Sequence, residues 1–586
     1  MFWKFDLHTS SHLEALLDKE DVTLAELMDE EDVLQECKAQ NRRLLQFLSQ
    51  DQCMQELVRL ITTEPPTGVE EVKRFKYSNI ACELLTCDVG DINDKLGNEE
   101  PLLESLYAFL EQPSPLNPLL ASFFSKTIGN LITRKTEQVL SFLRRKEGFL
   151  SLVLKHIDTS AMMDVLLRLI SCVEPPPLRL ETLTWLNEEK LAQRLIELIH
   201  PERDEERQSN ASQTLCDIIR LSRDQANQLQ ELSQPDPLLA VLESQESVEQ
   251  LLQNMFSREG TDSCIVNGIQ VLLTLLEIRR PGFERSYTVN SSILLAIQPH
   301  LIHFHQLLLQ PPKRNPMLTT LGVLEEPFGN TRLHVARLVA SLLYTSSSSH
   351  AVIAQELCRL NTMDLLLELF FKYTWNNFLH LQVELCVAAI LRSSETISQP
   401  PVGSESSAYN LMVTHLFQQC HLVPRILDAW EENDKIQSAG GMRRGYMGHL
   451  TRIANTVVHN LEKGPVHAQI GKLPEDCRGR WETFVDQTLS ETNRKNTIDL
   501  LWFNSEPKTQ IVLSFHLFYA EDEFNDRFVC LQANTAVFEA CSKERIQPFD
   551  DEEEEDIWEE KEMSFATQTK SRKRSEPQHF FFEEFI

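Results

Sequence analysis

The sequence predicts an all-α protein, an armadillo/HEAT-like solenoid of helical repeats that ends in a poorly ordered acidic region. Three observations support this fold class. Apolar residues recur at the spacing of one buried helix face, these stripes return at intervals of 41 to 72 residues, and the alternation typical of strands is nearly absent. Helix pairs repeating every ~40 to 47 residues are typical of armadillo and HEAT arrays, where each pair buries its apolar face on its neighbours.

The stripes predict where the repeated helices begin. One stripe consists of Leu119, Leu120, Phe123, Phe124, Ile128, Leu131 and Ile132. Equivalent helices are expected to begin near residues 77, 118, 160, 209, 261, 329, 376 and 448. A second apolar helix precedes each of them, as in residues 363–373, so the expected unit is a pair of helices.

The spacing also predicts the domain organisation. Residues 1–497 are expected to form one helical-repeat scaffold domain, because 586 residues exceed the size of one compact core. Two intervals are too long for the repeat, which predicts mobile insertions near 280–328 and 393–447. The apolar stripe is absent from residues 498–586, so we expect them to form an irregular or disordered tail. This tail contains an acidic element at 550–562 and a basic cluster at 570–574.

Charge and composition limit the partners and the compartment. The net charge of −31 repels phosphate backbones, so nucleic acid is not an expected partner. No signal peptide is recognisable, and the longest charge-free apolar run, residues 263–276, is shorter than the ~20 residues of a membrane span. We therefore expect no membrane span, reduced core cysteines and a cytoplasmic protein, with the basic cluster as a candidate nuclear address.

Motifs of catalysis are absent from the sequence. No phosphate-binding loop, HExxH, GxSxG or paired CxxC is present, so we expect no enzyme, no cofactor and no metal site. His300, His303 and His305 lie close together without a further ligand nearby, which favours a surface helix over a zinc site. An enzyme whose active-site residues are scattered along the chain stays open as an alternative.

Residues 370–384, FFKYTWNNFLHLQVE, contain the first group of candidate partner-binding residues. Phe378 fits the buried stripe, and Asn376 is expected to cap the next helix. Periodicity assigns no core role to four residues: Tyr373, Trp375, Asn377 and His380. They lie at the turn between paired helices, so contact with a partner and packing between repeats are both open.

Residues 440–449, GGMRRGYMGH, contain the second group. The glycines, Arg443, Arg444 and Tyr446 precede a predicted helix, so guanidinium groups and backbone amides could meet an anionic group. The alternatives are contact with an acidic partner and a flexible entry to the helix.

Several long strings resemble one family. MFWKFDLHTSSHLEALLDKEDVTLAELMDEEDVLQECKAQN, SPLNPLLASFF, NASQTLCDIIRLSRDQ, FFKYTWNNFLHLQVE and GYMGHLTRIAN are similar, in the same order, to the SAPS-domain regulatory subunits of protein phosphatase 6. The resemblance covers about residues 1–497 and resumes at 538–560.

This resemblance implies a function. The chain is expected to be a non-catalytic regulatory scaffold that binds the catalytic subunit of serine/threonine protein phosphatase 6 and directs it to substrates. Ankyrin-repeat regulatory subunits and phosphoprotein substrates are the further partners that it implies. The alternative is an armadillo-like adaptor that binds basic peptides or cargo.

Overall fold

A computed structural model describes residues 12–66, 74–228, 235–257, 261–277, 289–319, 322–345, 350–392, 405–461 and 464–503. Within these ranges nearly every element is a helix, and the only sheet there is one two-stranded hairpin. All the described residues belong to one compact unit. The predicted all-α fold is confirmed.

The first part of the array is built mainly from short helices. These are α1 (His12–Leu17), α2 (Leu24–Met28), α3 (Val33–Lys38), α4 (Arg42–Leu48), α5 (Asp51–Thr62), α6 (Lys76–Leu85), α7 (Gly90–Asn98) and α8 (Glu100–Tyr107), followed by a 3-10 turn (Ala108–Glu111). The next helices are α9 (Pro118–Arg134), α10 (Thr136–Arg145), α11 (Phe149–Lys155), α12 (Ala161–Ser171), α13 (Pro176–Glu188), α14 (Leu191–Leu198) and α15 (Glu205–Gln228).

The remaining elements continue the array. They are α16 (Pro237–Leu242), α17 (Gln245–Met255), α18 (Asp262–Leu275), α19 (Ser291–Ile297), a 3-10 turn (Gln298–His300) and α20 (Leu301–Leu309). Strands β1 (Met317–Thr319) and β2 (Gly322–Leu324) then pair antiparallel, with Leu318 opposite Val323. The last helices are α21 (Gly329–Tyr344), α22 (His350–Arg359), α23 (Thr362–Lys372), α24 (Asn377–Arg392), α25 (Glu405–Gln418), α26 (Leu422–Ser438), α27 (Met447–His459), α28 (Gly464–Gly471), α29 (Glu475–Thr483), a π-helical turn (Phe484–Leu489) and α30 (Ser490–Phe503).

Seven helices form a ladder in which each packs against the next: α9, α12, α15, α18, α21, α24 and α27. They begin at residues 118, 161, 205, 262, 329, 377 and 447, all within four residues of the predicted positions. The predicted stripes form their buried faces; in α12 these are Met162, Val165, Leu166, Leu169 and Ile170. Helical periodicity therefore predicted the spine of the fold.

Two further helices per repeat stack outside the ladder. One outer row stacks α13 on α16 and, later, α22, α25 and α28 in order. The other stacks α14 on α17, α20 on α23 and α26 on α29. The later repeats are thus three-helix, armadillo-type units, a correction to the predicted pairs. Two helices of this row, α16 and α28, have only 6 and 8 residues, too few to display a stripe in the sequence.

Capping side chains set where ladder helices begin. Asn117 Oδ1 accepts hydrogen bonds from the backbone amides of Leu119 and Leu120 at 3.0 and 3.2 Å, and Pro118 opens α9. Thr261 Oγ1 accepts from the amide of Cys264 at 3.3 Å at the start of α18. These contacts satisfy amides that have no partner within the first turn of a helix.

The two predicted insertions need correction. The region 280–328 contains α19, α20 and the hairpin, and 393–447 contains α25 and α26. Apolar side chains such as Ile293, Leu294, Leu416 and Phe417 pack these helices into the common core, so they belong to the repeats. Residues 280–288 and 393–404 lie outside the described part, as does the predicted tail except for 498–503, which belong to α30.

One helical run in the described part is long and apolar enough to cross a membrane by length and composition. It spans Ser291–Leu309, with a mean hydropathy of 1.2. Core helices meet the same criterion, and this run packs through α19 on α17 and through α20 on α21. Ile297, Phe304 and Leu308 are buried there, so the run serves as a core element of the array.

Two smaller expectations concern histidines and cysteines. His300 and His303 pack on the ring of Phe256, with centroids 6.0 and 4.9 Å away, so both are partly buried. α20 lies at the surface, as expected, since its Ile302 and Leu309 are exposed. His305 Nδ1 lies 3.1 Å from Thr362 Oγ1. The cysteines described by the structure are free thiols, most of them buried, as predicted.

Candidate partner-binding site

The two stretches that contain the candidate residues meet at one junction. Tyr446, just before α27, places its ring 5.6 Å from Phe370, 5.3 Å from Phe371 and 6.0 Å from His380. These three residues lie on α23 and α24, about 70 positions earlier. The candidate residues are therefore neighbours in space, a proximity that the sequence did not show.

Tyr373 lies inside this junction and is not exposed. Its ring packs edge-on against Phe328, with 5.0 Å between centroids. Its hydroxyl accepts a hydrogen bond from Arg332 Nη2 at 2.7 Å and donates one to the backbone oxygen of Glu326 at 3.1 Å. Because the hydroxyl is satisfied and the ring is buried, Tyr373 packs between repeats and offers no surface to a partner.

His380 is also a core residue. Its Nε2 donates to the backbone oxygens of Tyr373 and Phe370, at 2.9 and 3.1 Å. Burial, followed by the neighbouring His449, lowers the pKa of His380 to about 4, so the imidazole is neutral at physiological pH. The neutral ring stabilises the turn between α23 and α24 through these two hydrogen bonds. Because the side chain is fully buried, it offers no surface to a partner.

Tyr446 is the third candidate that the structure places in the core. Its ring is enclosed by the three aromatic rings of the junction, and burial raises the pKa of its hydroxyl. For Tyr373, His380 and Tyr446, packing between repeats is thus the reading that the structure supports.

Trp375 and Phe378 are, by contrast, largely open to solvent. They are 49% and 53% exposed, and Asn377 between them is exposed as well. Phe378 was expected in the core, but it lies in the first turn of α24, where its side chain is exposed. Asn376 caps this helix as predicted, since its Oδ1 accepts from the amide of Leu379 at 3.0 Å.

The loop before α27 supports Trp375 from one side. A Cβ atom on Gly445 would lie 2.5 Å from the backbone oxygen of Thr374 and 2.7 Å from Trp375 Cε3. Only glycine permits this approach. The loop also presents Met442, which is 62% exposed and which the sequence did not single out.

Arg443 and Arg444 differ in availability. Arg444 forms an ion pair with Glu432 at 3.3 Å, and its backbone amide donates to Asn433 Oδ1 at 3.0 Å. Arg443 is exposed, with no ion-pair partner among the described residues. We call Trp375, Asn377, Phe378, Met442 and Arg443 together the exposed ridge.

A surface cleft of about 390 Å³ opens beside the exposed ridge, between α23 and α26. Its walls include three carboxylates, on Glu368, Asp428 and Glu432, and two guanidiniums, on Arg425 and Arg444. Both guanidiniums already pair with carboxylates, Arg425 with Asp364 at 2.7 Å. Two of the three carboxylates are paired as well, Glu432 with Arg444 at 3.3 Å and Asp428 with Arg480 at 2.9 Å, so the charges of the cleft largely neutralise one another and favour neither a basic nor an acidic group of a partner.

A buried carboxylate ties the two ladder helices of the junction together. Glu384 of α24 accepts from His449 Nδ1 at 2.7 Å and from Arg452 Nε at 2.8 Å, both on α27. Within the described residues, no group of three or more His, Cys, Asp or Glu side chains is arranged to hold a metal. These hydrogen bonds join α24 to α27 at the junction, and the exposed ridge beside it is a partly apolar surface.

Comparison with known proteins is consistent with a binding role. The family model described as SIT4 phosphatase-associated protein (SAPS) matches residues 128–351 and 351–498. The mouse protein named serine/threonine-protein phosphatase 6 regulatory subunit 2 is 59% identical, covering 98% of this chain and 68% of its own length. Regulatory subunit 3-B of Xenopus laevis is 52% identical (98% and 73% covered), and mouse regulatory subunit 1 is 50% identical (94% and 73%).

Proposed function

Because this chain belongs to the SAPS family of phosphatase-associated proteins, we propose that it is a non-catalytic regulatory subunit of serine/threonine protein phosphatase 6. It binds the catalytic subunit and directs it to substrates. The observation that carries this proposal is the 50 to 59% identity, over 94 to 98% of the chain, to three proteins named as regulatory subunits of that phosphatase. No observation on the described residues favours the alternative adaptor function.

The exposed ridge is our proposed contact for the catalytic subunit. Trp375 and Phe378 are exposed aromatic side chains three positions apart, and exposed aromatic residues are typical anchors of protein interfaces. Their backbone is fixed by the buried Tyr373 and His380, so little conformational entropy remains to be lost on binding.

The proposed mechanism is positioning. A rigid array that holds the enzyme at one point and a phosphoprotein at another raises the effective concentration of that substrate near the active site of the enzyme. Ankyrin-repeat regulatory subunits are proposed as additional partners along the array. The proposed location is the cytoplasm, with the basic cluster at 570–574 giving access to the nucleus.

The first prediction tests the proposed contact. Replacing both Trp375 and Phe378 with alanine removes two exposed aromatic anchors and leaves the buried junction intact. We expect the full-length double variant to bind the phosphatase 6 catalytic subunit at least about tenfold more weakly. Biolayer interferometry with purified proteins measures the dissociation constant.

A matched control is the double variant Leu309→Ala and Leu411→Ala, which truncates two exposed aliphatic side chains on α20 and α25. It should bind like the unaltered chain. Failure of the unaltered chain to bind at micromolar concentration contradicts the proposed function, whereas equal weakening in both double variants contradicts only the placement of the contact.

A further inference from the structure

Two cysteine side chains from separate helices meet near the N-terminal end of the described array. Cys37 lies in the last turn of α3, and Cys87 lies in the turn between α6 and α7. Their Sγ atoms are 3.4 Å apart, and both are free thiols. A disulfide bond requires ~2.05 Å between the sulfurs, so a small approach of the side chains would join them.

The two thiols occupy unequal environments. Cys37 is fully enclosed, whereas Cys87 is half-buried and reachable from solvent. Cys87 Sγ lies 3.0 Å from the backbone oxygen of Leu84, to which its proton points. That leaves the Cys37 thiol as the donor in the contact between the two sulfurs.

This arrangement makes Cys87 the more reactive member of the pair. A hydrogen bond from Cys37, and further ones from the amides of Val89 and Cys87, lower the pKa of the Cys87 thiol, while the same contact raises the pKa of Cys37. Burial acts in the opposite direction: it partly offsets the lowering at Cys87, and it is the main cause that raises the pKa of Cys82 to about 11 and that of Cys264 to about 12. An accessible thiol with a lowered pKa beside a second thiol is typical of redox-responsive pairs.

We propose that Cys37 and Cys87 are a redox modification site that closes to a disulfide on reaction with a hydroperoxide. The Cys87 thiolate attacks one oxygen of hydrogen peroxide, the O–O bond breaks, and a sulfenic acid and hydroxide form. Cys37 Sγ then attacks the Cys87 sulfur, the S–S bond forms, and the sulfenic oxygen leaves as hydroxide. The two protons released by the thiols convert both hydroxides to water, and the peroxide has accepted two electrons.

The bond would tie α3 to the end of α6 across fifty positions of chain. α2 and α3 pack on α6, so the pair lies within the first layer of the array. A covalent link closing a loop of this length restricts local opening. Oxidation therefore stiffens the N-terminal layer without requiring a change in the ladder.

Peptide mapping of the full-length protein tests the site directly. Trypsin cleavage after Lys19, Lys38, Lys76 and Lys95 places Cys37 in residues 20–38 and Cys87 in residues 77–95. After treatment of the folded protein with dilute hydrogen peroxide, we expect these two peptides to appear joined, about 2 Da lighter than their sum, and to separate with dithiothreitol. Amide exchange in α3 and α6 should slow by at least about tenfold in the oxidised protein.

Cysteine variants identify the sulfurs involved, because the second peptide also contains Cys82. Cys87→Ser and Cys37→Ser should each abolish the joined peptide, whereas Cys82→Ser should leave its yield unchanged. Cys87→Ser alters a half-buried turn and is expected to fold, which circular dichroism checks. The proposal fails if peroxide converts Cys87 to higher oxides without joining it to Cys37, or if the joined peptide forms only in denaturant.

Discussion

Buried polar side chains hold the junction beside the exposed ridge, and their partners lie outside their own helix turn. His380 binds backbone oxygens seven and ten positions before it. Tyr373 is satisfied by Arg332 and Glu326, more than forty positions earlier. Such partners cannot be read from the periodicity of a single helix, so the sequence alone leaves both Tyr373 and His380 between two interpretations. Trp375 was recognised correctly as a residue without a core role, because its turn follows the end of the α23 stripe.

The protonation of His380 provides a prediction for pH. Its pKa is about 4 in the folded array and ~6.5 in an unfolded chain. Between these pH values the unfolded chain binds a proton that the folded array does not, so the free energy of unfolding falls as pH falls and levels off below pH 4. The shift corresponds to about 3 kcal/mol. Amide exchange in α24, followed from pH 7 to pH 4, measures the loss.

His380→Gln removes the titrating group and keeps an amide donor for the backbone oxygens of Tyr373 and Phe370. Its opening free energy in α24 should therefore depend less steeply on pH than that of the unaltered chain, by up to about 3 kcal/mol. The control is Phe378→Ala, an exposed position in the first turn of α24 without a titratable group, which should keep the original slope. If the opening free energy of α24 depends equally on pH in all three proteins, protonation of His380 does not destabilise the folded array.

The elements of the junction are joined by close contact between a loop and a turn. The loop before α27 passes so near Thr374 and Trp375 that Gly445 has no room for a side chain. From the sequence alone, the glycines of this loop suggest contact with an anionic group. Their role became visible only with the opposing turn in place, because the close approach joins segments about 70 residues apart. Long helices such as α21 and α24 were predictable, whereas the short α16 and α28 were not.

Gly445→Ala is expected to push the loop away from Trp375. The backbone oxygen of Thr374, 2.5 Å from the added Cβ, cannot rotate aside, so we expect a loss of about 1 to 3 kcal/mol in unfolding free energy. Binding of the phosphatase catalytic subunit should weaken too, since the exposed ridge loses its support. Chemical denaturation and biolayer interferometry measure the two effects.

Gly448→Ala is the matched control for this variant. A Cβ atom at Gly448 meets nothing within 4 Å, and the residue lies at the start of α27, where alanine favours helix. Its stability and its binding should remain close to those of the unaltered chain. Equal destabilisation by the two substitutions contradicts the close approach at Gly445.

The stability of the whole array depends on contacts between neighbouring repeats. Each ladder helix contacts mainly the helices before and after it, as α18 contacts α15 and α21. The stability of such an array is approximately a sum of repeat terms and nearest-neighbour terms, and local opening is confined to adjacent repeats. A regulatory subunit built in this way can hold a rigid contact at one junction while remote repeats open and close independently.

Leu272→Ala tests this local cooperativity. Leu272 is fully buried in the last turn of α18, and removing its side chain should cost about 2 to 5 kcal/mol in that repeat. Amide exchange should accelerate in α15, α18 and α21 but remain unchanged in α6 and α27, because the loss is transmitted only through direct neighbours. The exposed Leu295→Ala should leave all five helices unchanged. If exchange instead accelerated equally along the chain, the array would open as one unit, and the exposed ridge could not remain rigid while distant repeats fluctuate.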